Sequence, residues 1–125
     1  WMQGESDAYE SQAETYETNL VDLINIMRVA FDSPEMPFII ARVRDYFGGT
    51  EPPKIGEQTN PTQATIVRTT QAKVAEEMSH ADWFDTDSYE VVDPADNPGH
   101  YGTQGQLDLG RDFALAVLEF ITLED

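Results

Sequence analysis

"PFIIARV", residues 37–43, is a short and almost unbroken apolar run. A strand with one wet face alternates apolar and polar residues, whereas a strand covered on both faces does not, and the second pattern belongs to parallel sheets. Upstream, residues 8–31 carry apolar groups at Tyr9, Ala13, Tyr16, Leu20, Ile24, Met27 and Phe31. Those steps of three and four predict a long amphipathic helix. Asp7 is placed to cap its first turn, and the two prolines of "DSPEMP" (32–37) end it.

Downstream, residues 62–79 predict a second helix with Ile66, Val67, Thr70, Val74 and Met78 inward, and "ADWFDT" (81–86) a second short strand. A last helix is predicted over 103–121, presenting Leu107, Phe113, Ala114, Val117, Leu118 and Ile121 to the core. Gly105 and Gly110 weaken its first half, which implies close packing there. A Gly/Pro-rich loop is expected over 48–61, long enough to be a substrate-contacting lid or a contact element. The segment 87–102, "DSYEVVDPADNPGHYG", reads as an irregular acidic loop.

Helix, strand, helix, strand, helix predicts an α/β fold with right-handed crossovers and a parallel sheet. Two strands cannot serve three helices, so Trp1-Met2 is read as the tail of a further strand. Residues 1–125 are then expected to be the carboxyl-side portion of one doubly wound domain.

The 125 residues hold 24 Asp+Glu against 7 Lys+Arg, a net charge of −17. Such a chain repels phosphate backbones, so neither nucleic acid nor an anionic membrane is an expected partner. With no cysteine, disulfides, thiolate catalysis and Cys-ligated zinc are excluded. The apolar share of 40% argues against disorder.

In open α/β sheets reactive groups gather past the carboxyl ends of the strands. Two stretches fall there, "QGESD" (3–7) and "DPADNPGHYG" (93–102). His100 lies among Asp93, Asp96 and Tyr101, a setting that suits a general base and equally a solvated loop histidine. His80, at a helix end, reads as a cation favoured by the helix C-terminus. Gln3 offers an amide and Gly4 an approachable backbone N–H, both able to stabilise an oxyanion. The acids of 85–96 have a calcium-loop-like spacing, but Glu90 stands where glycine is required and Asp96 where glutamate is; no metal is expected. Serines 6, 11, 33, 79 and 88 sit in no recognisable nucleophile context.

"WMQGESDA" (1–8) resembles the Trp-x-Gln-Gly-Glu-x-Asp block of the sialate O-acetylesterase-like family, carbohydrate esterase family 6 and its relatives, which are SGNH-type (GDSL-like) hydrolases. "GHYGTQGQLDLGRDFA" (99–114) resembles the family's closing block, and "VRTTQAKVA" (67–75) its Val-Arg-x-x-Gln helix. The resemblance implies a three-layer flavodoxin-like fold, no cofactor, a secreted or periplasmic location, and removal of acetyl groups from sugars by a serine with histidine as base. On matching positions His100 is the base, Gln3 an oxyanion donor and Glu5 a triad acid. The family's Asp-x-x-His is altered: Asn97 stands three residues before His100, which leaves Asp96, Asp93 and Glu5 as competing orienting acids. The family's Gly-Gln-Ser nucleophile block is expected to precede Trp1. The expected partners are an acetylated carbohydrate and either a serine-bearing N-terminal half or further copies of this chain. The rival readings are a homo-oligomeric binding protein derived from such a half and a calcium-dependent binding module.

Overall fold

The computed structural model describes residues 1–8, 12–45 and 61–121. After a 3-10 turn at Ser6–Ala8 come α1 (Ala13–Ala30), β1 (Phe38–Ala41), α2 (Pro61–Glu77), β2 (Ala81–Phe84), β3 (Val91–Asp93), β4 (Asn97–Tyr101) and α3 (Thr103–Leu118). The alternation expected from the sequence is therefore present, with one addition. A two-stranded antiparallel hairpin, β3–β4, occupies the segment expected to be irregular. The expected 48–61 loop lies, apart from Pro61, outside the described residues, as does Tyr9.

β1 and β2 pair in parallel, with Phe38 opposite Ala81 and Ala41 opposite Phe84. On the other edge of β1, the Trp1 nitrogen donates to Ile39 O at 2.6 Å and Trp1 O accepts from Ala41 N at 2.8 Å. Those two bonds bracket Ile40 as a parallel neighbour would. Trp1 thus occupies a strand position, as a strand tail would.

The pleat sorts the sheet's side chains. Phe38, Ile40, Ala81 and Trp83 face one side, where α1 and α2 supply Ala13, Tyr16, Leu20, Ile24, Val67 and Val74. Each fully buried aliphatic side chain there stabilises by about 1.5–3 kcal/mol. On the other side Phe84 meets Phe113 of α3 edge-on, ring centroids 5.0 Å apart. Helices therefore cover both faces of the small parallel sheet. The hairpin adds a satellite core of Tyr89, Val91 and Tyr101 against Phe84 and Leu109.

Three expectations about faces are corrected. The buried stripe of α1 ends in Arg28 rather than Phe31, which is 65% exposed. Arg28 Nε donates to Met36 O at 3.1 Å, and its Nη2 to Ser79 O at 2.8 Å and His80 O at 3.0 Å. The cation serving the carbonyls after α2 is thus Arg28, while the His80 ring lies near Phe120. Asp7 does not cap α1; it lies in the 3-10 turn and accepts from Gln3, and the N-cap position is Gln12. On α3, Phe113 and Val117 turn inward, but Leu107, Ala114 and Leu118 are exposed, as is Ile121 beyond the helix.

Of the two α3 glycines, Gly105 is the one in close contact: an added Cβ would stand 2.2 Å from Glu90 O, whereas at Gly110 nothing lies within 4 Å. Gly105→Ala is expected to destabilise by about 2 kcal/mol or more, because backbone must move. Gly110→Ala is expected to stabilise by up to about 1 kcal/mol through helix propensity. Urea unfolding of the two variants beside the parent checks both.

Candidate functional site

Three chain segments leave the sheet at one edge: the turn after Trp1, residues 42–45 after β1, and residues 85–87 after β2. The first is the Gln3–Gly4 turn. Gly4 has φ 145°, in the region that favours glycine, and a Cβ there would stand 2.8 Å from Val67 Cγ1. Gln3 O accepts from Tyr16 OH and from Gln71 Nε2, each at 2.8 Å. The Gln3 side-chain amide donates one N–H to Asp7 Oδ2 at 2.6 Å. An amide nitrogen has two N–H groups, so the second remains for another acceptor.

His100 lies on β4, and its exposure follows from strand alternation. Tyr101, the next residue, points inward and is buried, so His100 points outward. The Tyr101 hydroxyl donates to Thr86 Oγ1 at 2.6 Å, and the Thr86 hydroxyl donates to Arg42 O at 2.8 Å. This fully buried threonine ties the histidine strand to the exits of β1 and β2. Burial pushes the Tyr101 phenol above its ordinary value, which keeps it a donor, and the Glu5 charge adds to the rise. Arg44 Nη1 also approaches Pro98 O at 3.4 Å.

The group on the His100 ring is an amide. Asn97 Oδ1 contacts Nδ1. With an oxygen as its neighbour Nδ1 carries the proton, which leaves the Nε2 lone pair free to act as a base. Asp93 Oδ1 instead accepts from Ala95 N at 2.8 Å and Asp96 N at 3.2 Å, closing the hairpin's own turn. Asp96 is exposed within that turn, and Glu5 is half-buried beside the 3-10 turn, where its carbonyl accepts from Ala8 N.

Two acids of the calcium-like spacing face arginines. Asp85 pairs with Arg42, whose guanidinium also lies 4.6 Å from the Trp83 ring centroid. Asp87 takes both Arg68 nitrogens, at 2.9 and 2.7 Å, and accepts from Asp45 N at 2.7 Å. Burial alone would push the Asp87 carboxyl up, but these hydrogen bonds and the Arg68 and Arg42 charges together hold it below its ordinary value.

Sequence reasoning missed Gln71, Thr86 and the Arg68–Asp87 pair. The signal for Gln71 and Arg68 was present in the Val-Arg-x-x-Gln spacing, which puts the last two side chains on one helix face. Nothing local marks Thr86.

The model of one family, described as carbohydrate esterase, sialic acid-specific acetylesterase, matches residues 1–119. The chain belongs to that carbohydrate esterase family. No curated protein matches it, and no solved structure does.

The lowered Asp87 value carries a pH prediction. A carboxylate held below its ordinary 3.8 contributes stability that is complete above that value and is lost as pH falls through the lower folded value. Urea midpoints measured from pH 6 down to about 2.5 are expected to fall less steeply for Asp87→Asn than for the parent below roughly pH 4.

Proposed function

We propose that the chain is the base-bearing and oxyanion-bearing portion of an SGNH-type carbohydrate O-acetylesterase with a three-layer, flavodoxin-like domain. The nucleophilic serine comes from polypeptide outside these 125 residues. The observation that supports this reading is that two chains of hydrogen bonds end at the exit of β1: Tyr101, next to His100, reaches Arg42 O through Thr86, and the Gln3–Gly4 turn reaches Val43 N through Gln71. Family membership over residues 1–119 supports the same chemistry.

In this reading the serine oxygen attacks the acetyl carbonyl carbon while His100 Nε2 takes the hydroxyl proton. The carbonyl oxygen becomes an oxyanion and accepts from the Gln3 side-chain N–H and the Gly4 backbone N–H. Collapse of the tetrahedral adduct breaks the bond to the sugar oxygen, which leaves with the proton from His100. Water then attacks the acetyl-serine with His100 again as base, releasing acetate. Asn97 fixes the tautomer but carries no charge to stabilise the imidazolium, so His100 works with an amide where a carboxylate is more effective. Asp93 is engaged by the backbone of the hairpin's own turn.

The exposed apolar residues Leu107, Leu115 and Leu118 of α3, with Ile121 beyond its end, support a second reading, a homo-oligomer that binds without ester turnover. p-Nitrophenyl acetate hydrolysis decides between them. For the polypeptide that includes the serine, His100→Ala is expected to lower kcat about a thousandfold or more. Asn97→Asp is expected to raise kcat by about tenfold or more, and to move the acid limb of the pH–rate profile upward because a carboxylate stabilises the imidazolium. Turnover indifferent to His100, or a symmetric dimer with no turnover from the complete polypeptide, would overturn the esterase reading.

A further inference from the structure

We infer that Gln71 is a positioning residue that aims the Gly4 N–H at the oxyanion site. The inference rests on the esterase reading above. Gln71 is fully buried, and each end of its amide is engaged. Its Nε2 donates to Gln3 O at 2.8 Å and to Tyr16 OH at 2.9 Å, and its Oε1 accepts from Val43 N at 2.9 Å.

Gln3 C=O and Gly4 N–H belong to one peptide unit. That unit is planar and trans, so its carbonyl and its N–H point in opposite directions. Two hydrogen bonds into the core on Gln3 O, from Gln71 and Tyr16, therefore fix the direction in which the Gly4 N–H points away from the core. A glycine at φ 145° has wide alternatives open to it, so without those bonds the peptide could rotate. An oxyanion donor must lie about 2.7–3.1 Å from the developing charge, and misplacement by about 1 Å costs on the order of a hundredfold.

Gln71 also sets this turn relative to the rest of the edge. The Val43 N–H that it receives is part of the segment leaving β1, and Arg68, one helical turn earlier, donates to Val43 O and pairs with Asp87. Thr86, beside Asp87, receives the Tyr101 hydroxyl next to His100. The opening turn and the base are thereby referred to one helix face.

The test uses the catalytically complete polypeptide and p-nitrophenyl acetate. Gln71→Met keeps the volume and removes all three hydrogen bonds. It is expected to lower kcat about ten- to a hundredfold with KM within about twofold, and to leave the acid limb of the pH–rate profile in place. Gln71→Glu keeps the acceptor for Val43 N but donates to Gln3 O only when protonated. Its kcat relative to the parent at the same pH is expected to be low near neutrality and to recover as pH falls. A folded Gln71→Met with parental kcat, or a loss that appears as a shifted acid limb, overturns the inference. If the Met variant does not fold, a Glu variant with parental kcat at neutral pH, or with no pH-dependent recovery, overturns it. Absence of His100-dependent turnover in the parent removes the esterase reading and this inference together. With such turnover present and Gln71 without effect, the inference alone fails.

Discussion

One residue, Val43 at the exit of β1, is the point on which the edge of the sheet depends. Its N–H donates to Gln71 and its carbonyl accepts from Arg68. Both side chains come from a single turn of α2, where residues three apart share a face. Arg68 then reaches β2's exit through Asp87, and Gln71 reaches the opening turn through Gln3 O. Three strand exits, remote in sequence, are located against one rigid helix. The polar groups are satisfied in a buried setting, where an unpaired one would cost about 1–3 kcal/mol.

The layer order was legible in the sequence because it rests on local patterns. The apolar runs of β1 and β2, the helical spacings of α1 and α2, and Trp1 as a strand tail all follow from side-chain periodicity and turn residues. The hairpin was not legible. "VVD" is too short to show alternation, and Pro98 argues against a strand until its pairing with 91–93 is known. The α1 stripe misled because Arg28 is buried by three carbonyls that lie elsewhere in the chain, while apolar Phe31 falls beyond the last turn. On α3 the apolar residues run around most of the circumference, so spacing alone could not say which side meets the sheet.

The candidate site was legible in a different way. Gln3, Gly4 and His100 stand out through residue type and the resemblance of whole blocks. Asn97, which touches His100, stands out in the sequence only as a departure from the family's Asp-x-x-His, and its contact with the ring is seen in the structure. Asn97 is on the histidine's own side of a tight turn, and the register of β3 against β4, with its irregularity between Val91 and Asp93, brings it there. Asp93, the more obvious acid, spends its oxygen on the turn that makes this possible.

Arg28 joins parts of the chain that are far apart in sequence. Its guanidinium joins α1 to carbonyls 51 and 52 residues away. Closing a loop of that length costs entropy that grows only slowly with its length. Hydrogen bonds from a charged donor, each worth about 1.5–3 kcal/mol, are of the size to offset part of it. This tie lies just past the C-terminal end of α2, whereas Arg68 and Gln71 lie in the middle of that helix. The same helix is thus fastened to α1 past its last turn and to the strand exits at its middle.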